Sequence, residues 1–245
     1  MRSGVQDIVK LLLFATMNFL SNFIDILFPR TCAGCDNSLA TGENLICSEC
    51  FYELPKTGYW KEEDNPVARI FWGRVYLQNA SSFLHFQKGG RLQNMIHHLK
   101  YRNMKEIGTF LGKLFGSELQ NTPYSQVDLI VPVPLHKSKI RKRGYNQSEC
   151  ICRGISSVTK IPVRANILVR SRYTTTQTEL DISERIDNVS GAFQVREKSR
   201  DYITWKKIIL VDDVITTGST INSCASELLK YGANNVLSAS VAHAY

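Results

Sequence analysis

With 245 residues, 43% of them apolar, the chain can bury one substantial core and a small annex. A charged fraction of 21% and an aromatic fraction of 10% are those of an ordinary globular protein and exclude a disordered chain. The net charge of +8 favours anionic partners, without separating nucleic acid from phosphorylated metabolites.

Residues 1–28 read as an amphipathic helical lead. Val5 to Phe28 is apolar, but Asn18, Ser21, Asn22 and Asp25 interrupt it before the roughly 20 apolar residues that a spanning helix needs. Arg2 and Lys10 beside Leu11-Leu12-Leu13-Phe14 leave a signal peptide as the competing reading, against which no small-residue cleavage site follows. The expectations are a helix docked on the protein itself, no transmembrane span, and a cytoplasmic location.

Cys32-x2-Cys35 and Cys47-x2-Cys50 then form two knuckles 11 residues apart, a small subdomain over 29–60. Together they offer four thiolates to one tetrahedral Zn²⁺, a closed and therefore structural site. Disulfides are the alternative, which a reducing compartment opposes. Residues 53–58 and 61–66 read as connector, and 75–245 as the main domain.

Val75 to Phe86 has the look of one or two strands ending in the turn Lys88-Gly89-Gly90. Arg91 to Arg102 and Lys105 to Leu119 show helical spacing, with Leu92, Met95, Ile96 and Leu99 on one face. Asp128 to Val133 is a buried strand, ended by Pro132-Val133-Pro134. Lys137, Lys139, Arg141, Lys142 and Arg143 follow as a basic loop, for which a polyphosphate, a nucleic-acid backbone and plain solvation all remain open. Ser148 to Ser157 predicts a helix, Asn166 to Arg170 a second strand, Lys207 to Val211 a third, Thr220 to Tyr231 a helix and Asn235 to Ala242 a closing strand. Continuous apolar strands alternating with helices predict a parallel sheet covered on both faces, with chemistry at the carboxyl ends of its strands. Cys150, Cys152 and Cys224 read as packing residues, the first two on different faces of their helix. Of the His97-His98 pair, one is expected to pack and one to be exposed.

The third strand runs into Asp212-Asp213-Val214-Ile215-Thr216-Thr217-Gly218-Ser219-Thr220. Small hydroxyl residues around Gly218 let peptide N–H groups converge on an anion where a helix begins, and the helix dipole favours a phosphate there. Two carboxylates would repel that phosphate, so Asp212 and Asp213 are expected to face neutral groups, the 2′- and 3′-hydroxyls of a ribose. The bland alternative is a βα turn whose acids are solvated or cap the helix.

This string resembles the ribose-phosphate signature of type I phosphoribosyltransferases. More narrowly, the chain resembles the ComF family, phosphoribosyltransferase-like proteins linked to natural competence and DNA uptake. The cysteine cluster carries the likeness, with Pro132-Val133-Pro134 leading to Arg143-Gly144-Tyr145-Asn146-Gln147, and Arg170 through Gln177, Leu180, Arg185 and Asn188 to Phe193. It covers the chain after about residue 25. The resemblance implies an α/β fold, a type I phosphoribosyltransferase-like parallel sheet flanked by helices, with a small N-terminal zinc-binding subdomain built on the four clustered cysteines. It also implies a ligand, 5-phosphoribosyl 1-pyrophosphate, carried with Mg²⁺. Thr216, Thr217, Gly218, Ser219 and Thr220 would hold the phosphate, and Arg143, Gly144, Asn146 and Gln147 the pyrophosphate. A closing loop would bring Arg172, Gln177 and Arg185 to the acids, and pyrophosphate would be displaced at ribose C1 by a nitrogen nucleophile. The alternative is a non-catalytic module that keeps this fold while contacting single-stranded DNA weakly or partnering a DNA-uptake motor; a regulator sensing the metabolite is a third.

Overall fold

A computed structural model describes residues 29–171 and 191–244. The amphipathic lead expected over 1–28, and Arg172, Gln177 and Arg185, lie outside the described residues. The chain divides after Glu53 into two compact units, so residues 54–60, read above with the cysteines, belong to the second.

In the first unit a Thr31–Ser38 bridge closes the first knuckle, and the short helix α1 (Ser48–Tyr52) carries the second. Cys47 caps that helix, its sulfur accepting from the peptide N–H of Cys50 at 3.4 Å.

The second unit begins with a segment that sequence reading left as connector but that holds a 3₁₀ turn with buried Trp60 and the helical turn α2 (Pro66–Arg69). Asn65 fixes it. Its Oδ1 accepts from the N–H groups of Val67 and Ala68, and its Nδ2 donates to the Ala80 carbonyl at 3.0 Å. There follow β1 (Asn79–His85), α3 (Arg91–Tyr101), α4 (Lys105–Glu118), β2 (Leu129–Pro132), α5 (Lys137–Arg143), α6 (Gln147–Thr159), β3 (Leu168–Arg170), β4 (Phe193–Val195), β5 (Lys207–Ile215), α7 (Ser219–Lys230) and β6 (Asn235–His243).

Four of the strands form a sheet in the order β1-β6-β5-β2, with every pairing parallel. Alternation along β5 sends Ile208 and Leu210 into a core shared with Ile221, Cys224, Ala225 and Leu228 of α7. The other face meets α4, whose Phe115 stacks on Phe83 of β1 at 5.2 Å. Helix α6 packs along α4 through glycine. A Cβ on Gly154 would stand 2.2 Å from the Thr109 carbonyl oxygen, and one on Gly112 2.2 Å from that of Ile151. Only hydrogen atoms permit so close an approach.

Two expectations need correction. Residues 168–170 are not in the parallel sheet; they pair antiparallel with Phe193–Val195, a strand that sequence reading did not assign. An apolar run of three residues cannot declare its partner. The basic loop is a seven-residue helix, α5. Cys150 and Cys152 are both buried, as expected of packing residues; α6 is covered on two sides. Cys224 is in the core and His97 is exposed with His98 half-buried, as expected.

Candidate functional site

The parallel sheet places the ends of β2 and β5 at one edge, and the site is built there. Strand β5 continues past the core, so Asp212 and Asp213 are still within it, while Thr216 to Gly218 form the turn into α7. Gly218 has a φ of 72°, a left-handed conformation that suits glycine, and a Cβ there would meet Ile70 and Phe71 at 2.7 and 2.8 Å. The segment after α2 therefore presses against the turn, and Arg74 donates through Nη1 to the Thr217 carbonyl at 2.9 Å. The hydroxyls of Thr217 and Ser219 share a hydrogen bond of 2.9 Å. The turn borders a half-open cavity of 40 Å³ lined by Asp212, Val214, Ile215 and residues 216–221. At about 10–15 Å³ for each enclosed water, that is space for a few oxygens at the start of a twelve-residue helix.

The two acids have different neighbours. Asp212 accepts from the Ser148 hydroxyl at 3.1 Å and from the peptide N–H of Asp213 at 2.8 Å. Burial, and then the charge of Asp213, push its carboxyl up to about 7. Asp213 accepts from the Val214 N–H at 2.7 Å and is ion-paired with Lys100 Nζ at 2.8 Å.

The β2–α6 connection supplies the other wall. In α5 the cations divide by face: Lys139 and Arg143, four residues apart, are half-buried, while Lys137, Arg141 and Lys142 are exposed. Arg143 lies 5.2 Å over the Tyr101 ring and donates to Gln147 Oε1 at 2.9 Å. Gly144 ends the helix with a φ of 78°. Asn146 caps α6, accepting from the Ser148 N–H at 3.1 Å, and its Nδ2 donates to the Val133 carbonyl at 2.9 Å. Gln147 is buried, and its Nε2 has no hydrogen-bond partner among the described residues. Lys139 sits below the ordinary lysine value, first through burial and then through the like charges of Arg170, Arg143 and Lys100.

Sequence reasoning passed over Lys100, Ser148 and Arg74. A signal for Lys100 was present. It lies four residues after Ile96, at the end of a helix whose Leu92, Met95, Ile96 and Leu99 are all buried, and a lysine on an apolar stripe asks for a partner. Arg74 and Ser148 reach the site only through contacts 143 and 64 residues distant in sequence.

In the first unit the ligand sulfurs of Cys32, Cys35, Cys47 and Cys50 all lie within 4.8 Å of one another, with Cys35 and Cys47 at 3.8 Å. Zn–S bonds of about 2.3 Å give a tetrahedron with edges of about 3.8 Å, so this donor set fits zinc. Burial raises the Cys32 thiol, but peptide N–H groups of Cys47, Gly34 and Cys35 outweigh it and bring it down to about 7. None of the seven cysteines is in a disulfide.

No protein-family profile matches the chain. It is 28% identical over 219 residues to competence protein F of Haemophilus influenzae, covering 85% of this chain and 95% of that protein. It is 24% identical over 204 residues to competence protein ComFC of Bacillus subtilis, covering 83% and 79%. With DNA utilization protein YhgH of Escherichia coli K12 it shares 33% identity over 146 residues, 58% of this chain and 63% of YhgH, so the match spans less than two thirds of that relative. Among solved structures it is similar to a glutamine phosphoribosylpyrophosphate amidotransferase from B. subtilis, with 19% identity and a TM-score of 0.39 over 59% of this chain and 30% of that one. A phosphoribosylpyrophosphate synthetase from Mycobacterium smegmatis gives 17% and 0.34 over 58% and 39%. Likeness of that degree transfers no chemistry.

Proposed function

We propose, from the premise that this chain belongs to the ComF family, that the edge of its parallel sheet binds 5-phosphoribosyl 1-pyrophosphate together with Mg²⁺. The observation that carries the reading is the turn from β5 to α7, in which two acids on the strand precede a hydroxyl-lined cavity at a helix N-terminus. A phosphate in that cavity meets the unpaired N–H groups of α7 and the hydroxyls of Thr217, Ser219 and Thr220. The ribose then lies beside Asp212 and Asp213, whose oxygens accept from its 2′- and 3′-hydroxyls. The pyrophosphate extends toward the half-buried Lys139 and Arg143. Asn146 and Gln147 act one step removed, Asn146 by capping α6 and Gln147 by holding Arg143.

Mg²⁺ would be held between the ligand and the carboxylates of Asp212 and Asp213, and would supply neutralisation of charge on the leaving group. The chain's own groups position the sugar and, through the two carboxylates, favour positive charge on the ring as the bond at C1 breaks. The reaction class this serves is displacement of pyrophosphate by a nitrogen nucleophile. In the first unit, Zn²⁺ on the four thiolates is a structural ion, and cysteines outside any disulfide fit a reducing cytoplasm.

A second reading is favoured by one observation. Lys137, Arg141 and Lys142 face outward from α5, where they can meet a DNA backbone without entering the sugar site. Calorimetric titration of the full chain separates the two. The phosphoribosyl reading expects Mg²⁺-dependent binding of phosphoribosyl pyrophosphate, tighter than that of ribose 5-phosphate. Binding confined to a single-stranded oligonucleotide, steeply weakened by salt, would leave only the second.

A further inference from the structure

The acid pair is surrounded by more positive charge than it can neutralise. Lys100 from α3, Lys139 and Arg143 from α5 and Arg170 from β3 all act on one another or on Asp213. Lys139 and Arg143 lie in the helix already assigned to the pyrophosphate, and Arg170 ends the strand β3. Lys100 lies in neither, yet among the described residues it alone makes a direct ion pair with a site acid, 2.8 Å from Asp213, with the two side chains only 22% and 15% exposed. Burial works against its ammonium, but Asp213 and Asp212 together hold it above the ordinary lysine value.

This pair and the ligand cannot both have Asp213 on the same terms. A ribose hydroxyl that donates to Asp213 competes with Nζ, and a buried ammonium that loses its carboxylate needs another anion within reach. Helix α3 is anchored by Leu92, Met95, Ile96 and Leu99, so its backbone does not follow; the four-carbon stem of Lys100 and its three rotatable donors can. Resting on the ligand reading above, we propose that Lys100 is a pyrophosphate-binding residue, held on Asp213 in the absence of ligand and transferred to the ligand's diphosphate when the ribose hydroxyls take that carboxylate. The same exchange makes Lys100 a specificity device. A sugar phosphate without diphosphate must separate the ion pair and offers Nζ nothing in return.

The test is calorimetry on the full-length protein with phosphoribosyl pyrophosphate and with ribose 5-phosphate, each with Mg²⁺, for wild type, Lys100→Gln and Lys100→Arg. Circular dichroism confirms that each variant is folded. Lys100→Gln should weaken the pyrophosphorylated ligand by roughly ten- to hundred-fold, the worth of one charge-assisted hydrogen bond. Ribose 5-phosphate should bind equally well or better, so the preference between the ligands shrinks, and Lys100→Arg should restore part of it. Equal losses for both ligands would show a structural role and overturn the proposal, as would unchanged binding of the pyrophosphorylated ligand or an Arg variant no better than Gln. Wild type that binds neither ligand would end the ligand reading itself, and this inference with it.

Discussion

The two acids at the end of β5 have different neighbours. Asp213 has a lysine beside it, whereas among the described residues Asp212 has a hydroxyl and a peptide N–H, and burial with the neighbouring charge brings its carboxyl up to about 7. The consequences for stability and for binding have opposite signs. The folded protein holds a proton on Asp212 that the unfolded chain releases near pH 4. This group's contribution to stability is therefore fully present below that pH and is lost as pH rises through about 7. A ribose hydroxyl donating to the carboxylate needs the ionised form, so binding should release a proton and weaken as pH falls below 7, approaching tenfold per unit. Titrations in buffers of different ionisation enthalpy measure the proton directly. The release should vanish in Asp212→Asn, and proton uptake on binding would contradict the assignment.

At the scale of elements, the position of α6 matters most, because its first turn holds Ser148 on Asp212 and Gln147 on Arg143. That position depends on the contact between α4 and α6, where Gly112 and Gly154 lie back to back. Gly154→Ala removes a helix-weakening glycine, worth about 1 kcal/mol in an open helix. Here its Cβ meets the Thr109 carbonyl oxygen at 2.2 Å and the backbone of Gly112 and Lys113 at 2.8 Å, atoms that cannot step aside. Destabilisation of about 1–3 kcal/mol is expected, read from the denaturant midpoint, together with weakened ligand binding as Ser148 moves off Asp212. An unchanged midpoint would mean that the helices are further apart than described.

The same scale shows what the sequence could and could not declare. The turn Asp212–Thr220 was legible because strand, acids, hydroxyls, glycine and helix follow one another along the chain. The two C-x2-C knuckles were legible for the same reason. Helix α5 was not: Ile140 is its one apolar residue, so no helical period stood out. Even so, the spacing of Lys139 and Arg143 already marked one face. Strand β4 has a clean buried–exposed–buried pattern, but at three residues any pairing was open. Lys100, Ser148 and Arg74 come together only through tertiary packing, which periodicity cannot anticipate.

For the whole molecule, the two units derive their stability differently. The second has a sheet with apolar cores on both faces. Among the described residues of the first, the buried apolar set is little more than Cys32, Ala33, Ile46 and Cys50, too small a core to hold a fold. The missing free energy is expected from metal, since structural zinc contributes directly to folding. Metal analysis of freshly reduced protein should find close to one zinc per chain. Cys32→Ser should lose it and lower the melting temperature, while stoichiometric disulfides without metal would contradict this account.

The central claim is that Asp212 and Asp213 hold a ribose. The most direct measurement is the affinity of the double variant Asp212→Asn, Asp213→Asn for phosphoribosyl pyrophosphate and for ribose 5-phosphate, by calorimetry with Mg²⁺ on protein shown to be folded. Hydrogen bonds to charged groups contribute about 1.5–3 kcal/mol each. Losing one should therefore cost about ten- to hundred-fold, and losing two about a hundred- to ten-thousand-fold, for both ligands, because both carry the same sugar hydroxyls. Affinity equal to wild type for either ligand, in a variant that still folds, would contradict the account.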